Sequence, residues 1–373
     1  MKCVAVIAEF NPFHNGHALL AGSIKEAFPD HALVAIMSGN TVQRGDFAIF
    51  DKYERAKTAV LNGFDAVIEL PFPFSCSAGE QFARAGVYIA DAIGASVLAF
   101  GSECGDVKLL TECAENLSSA EFNEQFEMYT ARNRDVSVIN ARIDTYMTVY
   151  GKDLPVGSND ILGIEYIKAM NAAMSPMEPF VIHRTENFRA TDARIALKRA
   201  DQKETDRLLC AEERTDSYEM NKGLVGFSEL VLGALRLDFG ADNGNGIVNA
   251  MKTCARQSGG FEGFISLLPT KTYTMARLRR EMISYLFGVT DEDKNRAPGY
   301  SVLLAANKKG QKYISEAQKG FKIPLVTRMA DTKSFTAEQS AQLETAIKSD
   351  SVYCLGFGHP VAPTPFKTPY MEK

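Results

Sequence analysis

The sequence has no stretch approaching 18 unbroken apolar residues, so it offers no transmembrane helix. The short apolar run after Lys2 stops at Glu9, too soon for the core of a signal peptide, and reads instead as a first β-strand. Seven cysteines (Cys3, Cys76, Cys104, Cys113, Cys210, Cys254 and Cys354) are odd in number, scattered, and never spaced C-x-x-C. That pattern argues against a disulfide framework or a zinc ribbon and suits a reducing cytoplasm, the expected location. There is no G-x-x-x-x-G-K-[ST] loop and no G-x-G-x-x-G turn after a strand, so two common phosphate cradles are missing. Internal repeats and low-complexity tracts are missing as well.

What remains is an ordinary globular composition. The chain has 373 residues, 46% hydrophobic and 23% charged, enough for two domains and a full core. The net charge of −5 at first argues against a nucleic-acid partner. It is unevenly spread: residues 252–373 hold 18 Lys and Arg against 11 Asp and Glu, leaving 23 against 35 in residues 1–251. An acidic body is joined to a basic C-terminal third, and such a face suits a polyanion.

The first 105 residues alternate apolar strands with amphipathic helices. Strands are expected at Cys3–Ala8, Ala32–Met37, Ala66–Leu70 and Ser96–Phe100, with helices at about 17–27, 51–62 and 78–93. Near-continuous apolar strands with helical crossovers predict an α/β fold, a Rossmann-like parallel sheet covered on both faces. Asp51 and Ser77, each followed three residues later by Glu, read as helix caps. A helical insertion is expected over about 105–175, before a strand at Pro179–His183 and a helix at 190–200. The α/β domain is expected to span 1–203 and a mostly helical, basic domain 204–373. The turn-rich stretch 236–247 is the expected loop within the second.

The strongest local feature is Glu9-Phe-Asn-Pro-Phe-His14-Asn-Gly16-His17, directly after strand one and opening a helix. Two histidines three apart project from one side of a helix start, where free N–H groups and the dipole favour an anion. Gly16, without a Cβ, leaves room for a bulky ligand near the backbone. The pattern suits a triphosphate. It also suits a metal pair, which would need a third ligand that no nearby zinc pattern supplies. Later, Lys271-Thr-Tyr-Thr-Met-Ala-Arg277-Leu-Arg279-Arg280 sets cations around apolar positions, and Lys308, Lys309 and Lys312 follow. In a basic segment these suit phosphate contact.

The strand, H-x-G-H and helix arrangement resembles the HxGH nucleotidyltransferase superfamily, and Ala190-Thr191-Asp-Ala193-Arg194 is similar to its second signature, [ST]-T-x-x-R. Six blocks in order then resemble the tRNA(Met) cytidine acetate ligase family up to about residue 320: Val4–His17; Met37-Ser-Gly-Asn40 with Gln43-Arg-Gly45; Glu69-Leu-Pro71; Phe100-Gly-Ser-Glu103; Ser158–Tyr166; and Tyr273–Leu278. One departure is Arg189-Ala-Thr-Asp-Ala193-Arg where Ser-Ala-Thr-x-Ile-Arg is usual.

This resemblance implies an enzyme that joins acetate to ATP as acetyl-adenylate and transfers the acetyl group to N4 of the wobble cytidine of elongator tRNA(Met). His14 and His17 are the implied catalytic pair, stabilising charge on the reacting phosphate. The implied ATP site comprises Ile7, Ala8, Glu9, Phe10, Asn11, Pro12, Phe13, His14, Asn15, Gly16, His17 and Leu20, with Gly101, Asn159, Arg184, Thr191 and Arg194. Gly101 would admit adenine or ribose, and Mg²⁺ would accompany ATP on ligands the sequence does not identify. Asn40, Gln43 and Arg44 are candidates for holding acetate. Lys271, Arg277, Arg279, Arg280, Lys308 and Lys309 are candidates for tRNA. The same signature also fits adenylylation of another small acceptor, such as a phosphopantetheine-type substrate, or a non-catalytic nucleotide- or tRNA-binding relative.

Overall fold

The computed structural model describes residues 1–133, 136–184, 188–210, 220–221, 223–240, 244, 246–270, 272–357 and 367–372. The strands are β1 (Cys3–Ala8), β2 (Ala32–Ser38), β3 (Thr41–Val42), β4 (Asp46–Phe47), β5 (Ala66–Leu70), β6 (Val97–Ser102), β7 (Glu178–His183), β8 (Ser301–Ala306), β9 (Leu325–Val326) and β10 (Tyr370–Met371). The main sheet has the order β10-β8-β5-β2-β1-β6-β7, with β9 pairing β8, while β3 and β4 form a separate small hairpin. From β5 to β7 every pairing is parallel. β8 then runs antiparallel to β5.

Helices cover both faces of the sheet. Between the first strands run α1 (Asn15–Ala27), α2 (Lys52–Leu61) and α3 (Gly79–Ala92); the crossover from β6 to β7 carries α4 (Val107–Ser118), α5 (Ala120–Arg132), α6 (Val138–Tyr150) and α7 (Ser158–Ala172). Those four are the insertion anticipated at 105–175. Alternation along β1 divides the core: Cys3, Ala5 and Ile7 pack with α3, α4 and α7, whereas Val4 and Val6 pack with residues of α1 and α2. Asp51 caps α2 by accepting from the Tyr53 amide at 2.9 Å. Ser77 is not the cap of α3; Ala78 is, and the Ser77 hydroxyl bonds the Phe74 carbonyl at 2.6 Å instead.

After β7 come α8 (Ala190–Lys198), α9 (Gln202–Leu208), α10 (Ser228–Leu237), α11 (Ile247–Gln257), α12 (Phe261–Leu267), α13 (Met275–Phe287), α14 (Asp291–Asn295), α15 (Lys308–Ala317) and α16 (Ala337–Tyr353). The turn-rich stretch falls between α10 and α11. Helices α10 to α13 share a core of their own, with Val231, Leu235, Met251, Phe264, Leu278 and Met282 meeting Phe47 and Phe72.

A division near residue 203 does not separate this C-terminal part from the sheet, because β8, β9 and β10 lie beyond it and belong to the sheet. The crossing is sealed by buried charge. Lys52 Nζ lies 2.8 and 2.9 Å from the Glu69 oxygens at the end of β5 and 2.6 Å from Asp350 of α16. Burial pushes Glu69 up to about 7, against the pull of Lys52. Removing one member would leave the others buried and unbalanced, a costly change.

Candidate active site

The chain leaves β1 at its carboxyl end, where ligands bind in open α/β sheets. Phe10 turns it with φ +47, a left-handed conformation that costs a non-glycine residue of order 1 kcal/mol. Rings hold the turn in place: Phe10 meets Phe13 at 4.9 Å, Phe64 at 5.2 Å and His17 at 4.9 Å between centroids. Asn11 is buried, its side-chain oxygen accepting from the Ile49 amide at 2.9 Å. Pro12 and Phe13 are buried behind His14, which caps α1.

His14 and His17 stack, centroids 3.7 Å apart and planes 16° from parallel. The His14 amide donates to His17 Nδ1 at 3.2 Å, which leaves the proton of a neutral His17 on Nε2. Burial, followed by the Arg184 guanidinium, pushes His14 down to about 4. His17 is driven well below its usual value by burial, with His14 and Arg184 adding to the effect. Both rings are therefore neutral near pH 7. His14 Nδ1 is buried and has no hydrogen-bond partner among the described residues. An orphaned buried polar atom on a helix start, beside arginines that form no ion pair among the described residues, is what an anionic ligand would complete.

The arginines come from three directions. Arg184, just after β7, donates to the Phe188 carbonyl at 2.8 Å. Arg194 donates to the Asn11 carbonyl at 2.6 Å and to Thr191 Oγ1 at 3.0 Å, so the second signature closes on the first. Arg44 sits exposed at the tip of the β3–β4 hairpin. Arg194 lies within electrostatic reach of Glu9, Arg44, Asp46 and Arg279. Glu9 accepts from the Gln43 amide at 2.7 Å, and burial raises its pKa against the pull of Arg44, Arg194 and Arg55.

Several expected ligand residues are engaged inside the fold. Ile7 packs on α3, where a Cβ added to Gly86 would lie 2.9 Å from Ile7 Cγ1, and Ala8 and Leu20 pack on the opposite side of the sheet. Asn15 bonds the Arg207 carbonyl at 2.9 Å and accepts from Cys210 Sγ at 3.3 Å. Asn159 is clamped by Glu103, its amide at 3.0 Å and its side-chain nitrogen at 2.7 Å. Asn40 accepts from the Lys52 amide at 2.9 Å and donates to Asp350 at 3.0 Å, so both ends of its amide serve the fold. Above Gly101 stands the Arg184 side chain, 3.1 Å from where a Cβ would be. Gly16 faces Phe188 in the same way, at 2.9 Å, and the Phe188 ring stacks at 6.4 Å from that of His14. The departures in the second signature are accommodated: Arg189 is exposed and Ala193 is packed with Leu208 and Leu209.

The basic candidates part company. Arg277 stacks on Tyr273 at 5.1 Å, Arg279 reaches Asp46 at 3.7 Å, and Arg280 Nη1 donates to the Gln43 carbonyl at 3.1 Å, all at the start of α13 beside the hairpin. Lys309 instead bonds the Pro29 carbonyl at 2.8 Å and lies 4.0 Å from Asp65, at the amino-terminal edge of the sheet. Lys308 and Lys312 share that helix, roughly 20 Å of strand away from the histidines. They do not extend the patch. Lys271 lies outside the described residues.

Sequence reasoning missed Arg55, whose buried guanidinium donates to the carbonyls of Glu9, Ser38, Gly39 and Phe50 and fixes the strand ends around the site. The signal was there: an arginine among Tyr53, Ala56, Ala59 and Val60 on the buried face of α2. Glu103, at the end of the Phe100–Glu103 block, takes its role from the fold: it accepts from the Asn159 and Asp160 amides at 3.0 Å each.

A strand, a histidine-capped helix and a closing arginine define a nucleotidyltransferase site. The sequence model of the HIGH Nucleotidyl Transferase family matches residues 1–200 and 231–363. The tRNA(Met) cytidine acetate ligase of Syntrophotalea carbinolica is 33% identical over 88% of this chain and 85% of its own length. That of Bacillus licheniformis is 31% identical over 97% and 94%. The crystal structure of Thermotoga maritima TmcAL bound with alpha-thio ATP superposes with a TM-score of 0.88 at 26% identity, covering all of both chains. The chain belongs to the tRNA(Met) cytidine acetate ligase family and is an enzyme of that family. Among the described residues no helix is long and apolar enough to cross a membrane.

Proposed function

We propose that the protein activates acetate with ATP and transfers the acetyl group to N4 of the wobble cytidine of elongator tRNA(Met), in the cytoplasm. The observation that carries this reading is the stacked, neutral His14–His17 pair, with an unpartnered nitrogen and the Arg184 and Arg194 guanidiniums converging on one helix start. An acetate oxygen attacks the α-phosphorus, the bond from that phosphorus to the α,β-bridging oxygen breaks, and pyrophosphate leaves. The N4 amine then attacks the acyl carbon, AMP departs, and the amine loses a proton.

His17 Nε2–H donates to a phosphate oxygen as charge builds on it, and the His14 ring stacks face to face on it. Neutral imidazoles donate without the repulsion that two adjacent imidazoliums would create. Arg194 and Arg184 bind the outer phosphates, and the stacked Phe188 excludes water from the same side. Arg44, exposed and without a carboxylate partner among the described residues, is the group best placed to pair with acetate, with Gln43 beside it. Mg²⁺ neutralises phosphate charge where it accompanies ATP; the described residues hold no cluster of three His, Cys, Asp or Glu to bind it, so no step is assigned to protein-bound metal. Arg277 and Arg279 on α13 offer the RNA phosphates a contact beside this site.

The test is pyrophosphate release with ATP and acetate, with and without tRNA(Met), in the wild type and in His14→Ala and His17→Ala. Acetate-dependent release that both variants lose supports the reading. Release independent of acetate, or none under any condition, rejects it.

A further inference from the structure

The tip of the β3–β4 hairpin is held from both sides. The Gln43 amide donates to Glu9 at 2.7 Å, two residues after Ile7 and five before His14, while the Gln43 carbonyl accepts from Arg280 at 3.1 Å. Gly45 has φ +74, and a Cβ there would collide with the Arg280 amide nitrogen and come within 2.8 Å of the Arg279 carbonyl carbon. No other residue combines that backbone with that approach. The tip therefore packs directly against the backbone of the first turns of α13.

Arg280 is partly buried and forms no ion pair with a carboxylate among the described residues. Burial works against its charge, with Glu281 opposing it, and its side chain is spent on the hairpin backbone and not on a carboxylate. Its hydrogen bond goes to the carbonyl of the residue whose amide reaches Glu9. On the same helix Arg277 and Arg279 stand towards solvent, the Arg279 side chain 40% exposed. Arg44, at the tip, lies within electrostatic reach of Glu9 and Arg194.

We propose that the Gln43–Gly45 tip couples RNA contact on α13 to activation of acetate, with Arg280 as the positioning residue. RNA seated on Arg277 and Arg279 fixes α13. Arg280 and the backbone contact at Gly45 carry that constraint to Arg44 and Glu9, so RNA improves the use of acetate before any acetyl group reaches it. By reciprocity, bound acetate and ATP tighten RNA binding by the same factor. This rests on the acetate-activation reading above.

The experiment is ATP–pyrophosphate exchange on the full chain, with acetate varied at saturating ATP and, separately, ATP varied at saturating acetate. The added RNA is tRNA(Met) with uridine replacing the wobble cytidine, so that it binds without accepting acetyl. RNA is expected to lower the KM for acetate about fivefold and to leave the KM for ATP nearly unchanged. Arg280→Leu is expected to bind RNA as the wild type does and to lose the shift, whereas Arg280→Lys, still a donor, keeps part of it. Gly45→Ala is expected to behave like Arg280→Leu. Exchange that depends on acetate but not on RNA overturns the coupling alone. So does a full shift in Arg280→Leu, or a loss of RNA affinity in parallel with the loss of the shift. Exchange that never depends on acetate overturns the functional reading and the coupling with it.

Discussion

At the amino-terminal edge of the sheet, Asp65 accepts from the Leu33 amide at 2.9 Å, from Asn307 at 2.9 Å and from Lys25 at 3.2 Å, with Lys309 at 4.0 Å. Its carboxylate is buried and fully engaged. At the carboxyl edge, Arg44, Arg184, Arg194 and Arg280 have no carboxylate ion pair among the described residues, and His14 Nδ1 has no partner. Both edges gather charge from distant parts of the chain, including the C-terminal third. Where donors and acceptors match, the cluster is scaffold. Where cations outnumber carboxylates, a ligand must supply the balance.

The largest test of that contrast is catalytic. His14→Ala and His17→Ala should each lower acetate-dependent pyrophosphate release about 100-fold or more, the scale of a lost transition-state donor. Lys309→Ala should leave the rate where it is. Equal losses at the two edges would erase the distinction.

Next comes pH. His14 sits at about 4 in the folded chain against about 6.5 unfolded, so the unfolded chain takes up this proton first as pH falls. Stability is complete above pH 6.5 and declines towards pH 4, by about 3 kcal/mol from this residue. Denaturant titrations at pH 4.5 and 7 measure it. His14→Asn should flatten that limb, and an unchanged pH slope in the variant would show that His14 is not buried neutral.

At the scaffold edge the expected signs are exchanged. Asp65→Ala strands the Leu33 amide and the Asn307 amide and should cost about 2 kcal/mol by urea denaturation. The fraction that remains folded should release pyrophosphate at the wild-type rate, read below the unfolding transition. A rate loss without a stability loss would place Asp65 in the site.

The sequence made the fold legible because its signals were local. Continuous apolar strands, helix-period crossovers and the insertion all depend on neighbours within a few residues. The site was legible where a motif is contiguous: His14 and His17 on one helix start, Thr191 and Arg194 on another. It was not legible where the contact is distant. Nothing in the sequence pairs Asn40 with Asp350, 310 positions away, or Asn159 with Glu103, and both side chains prove engaged in the fold. Sign of charge alone puts Lys308 and Lys309 with Arg279. β8 between them reverses direction against β5 and delivers the lysines to the far edge.

That reversal supplies the finest test. Counting cations in the last 122 residues treats Arg279 and Lys309 alike, since each adds one positive charge to a polyanion's partner. The structure separates them by the length of a strand, with Arg279 beside the hairpin of Arg44 and Lys309 spent on the Pro29 carbonyl. A phosphate contact contributes by releasing a counterion, so its loss shows both in affinity and in salt dependence. Arg279→Ala should weaken tRNA(Met) binding about fivefold and reduce the slope of log affinity against log salt by about one. Lys309→Ala should change neither quantity. If instead both alter the slope equally, RNA spans the two edges, and the match between Lys309 and Asp65 is a resting arrangement that RNA displaces.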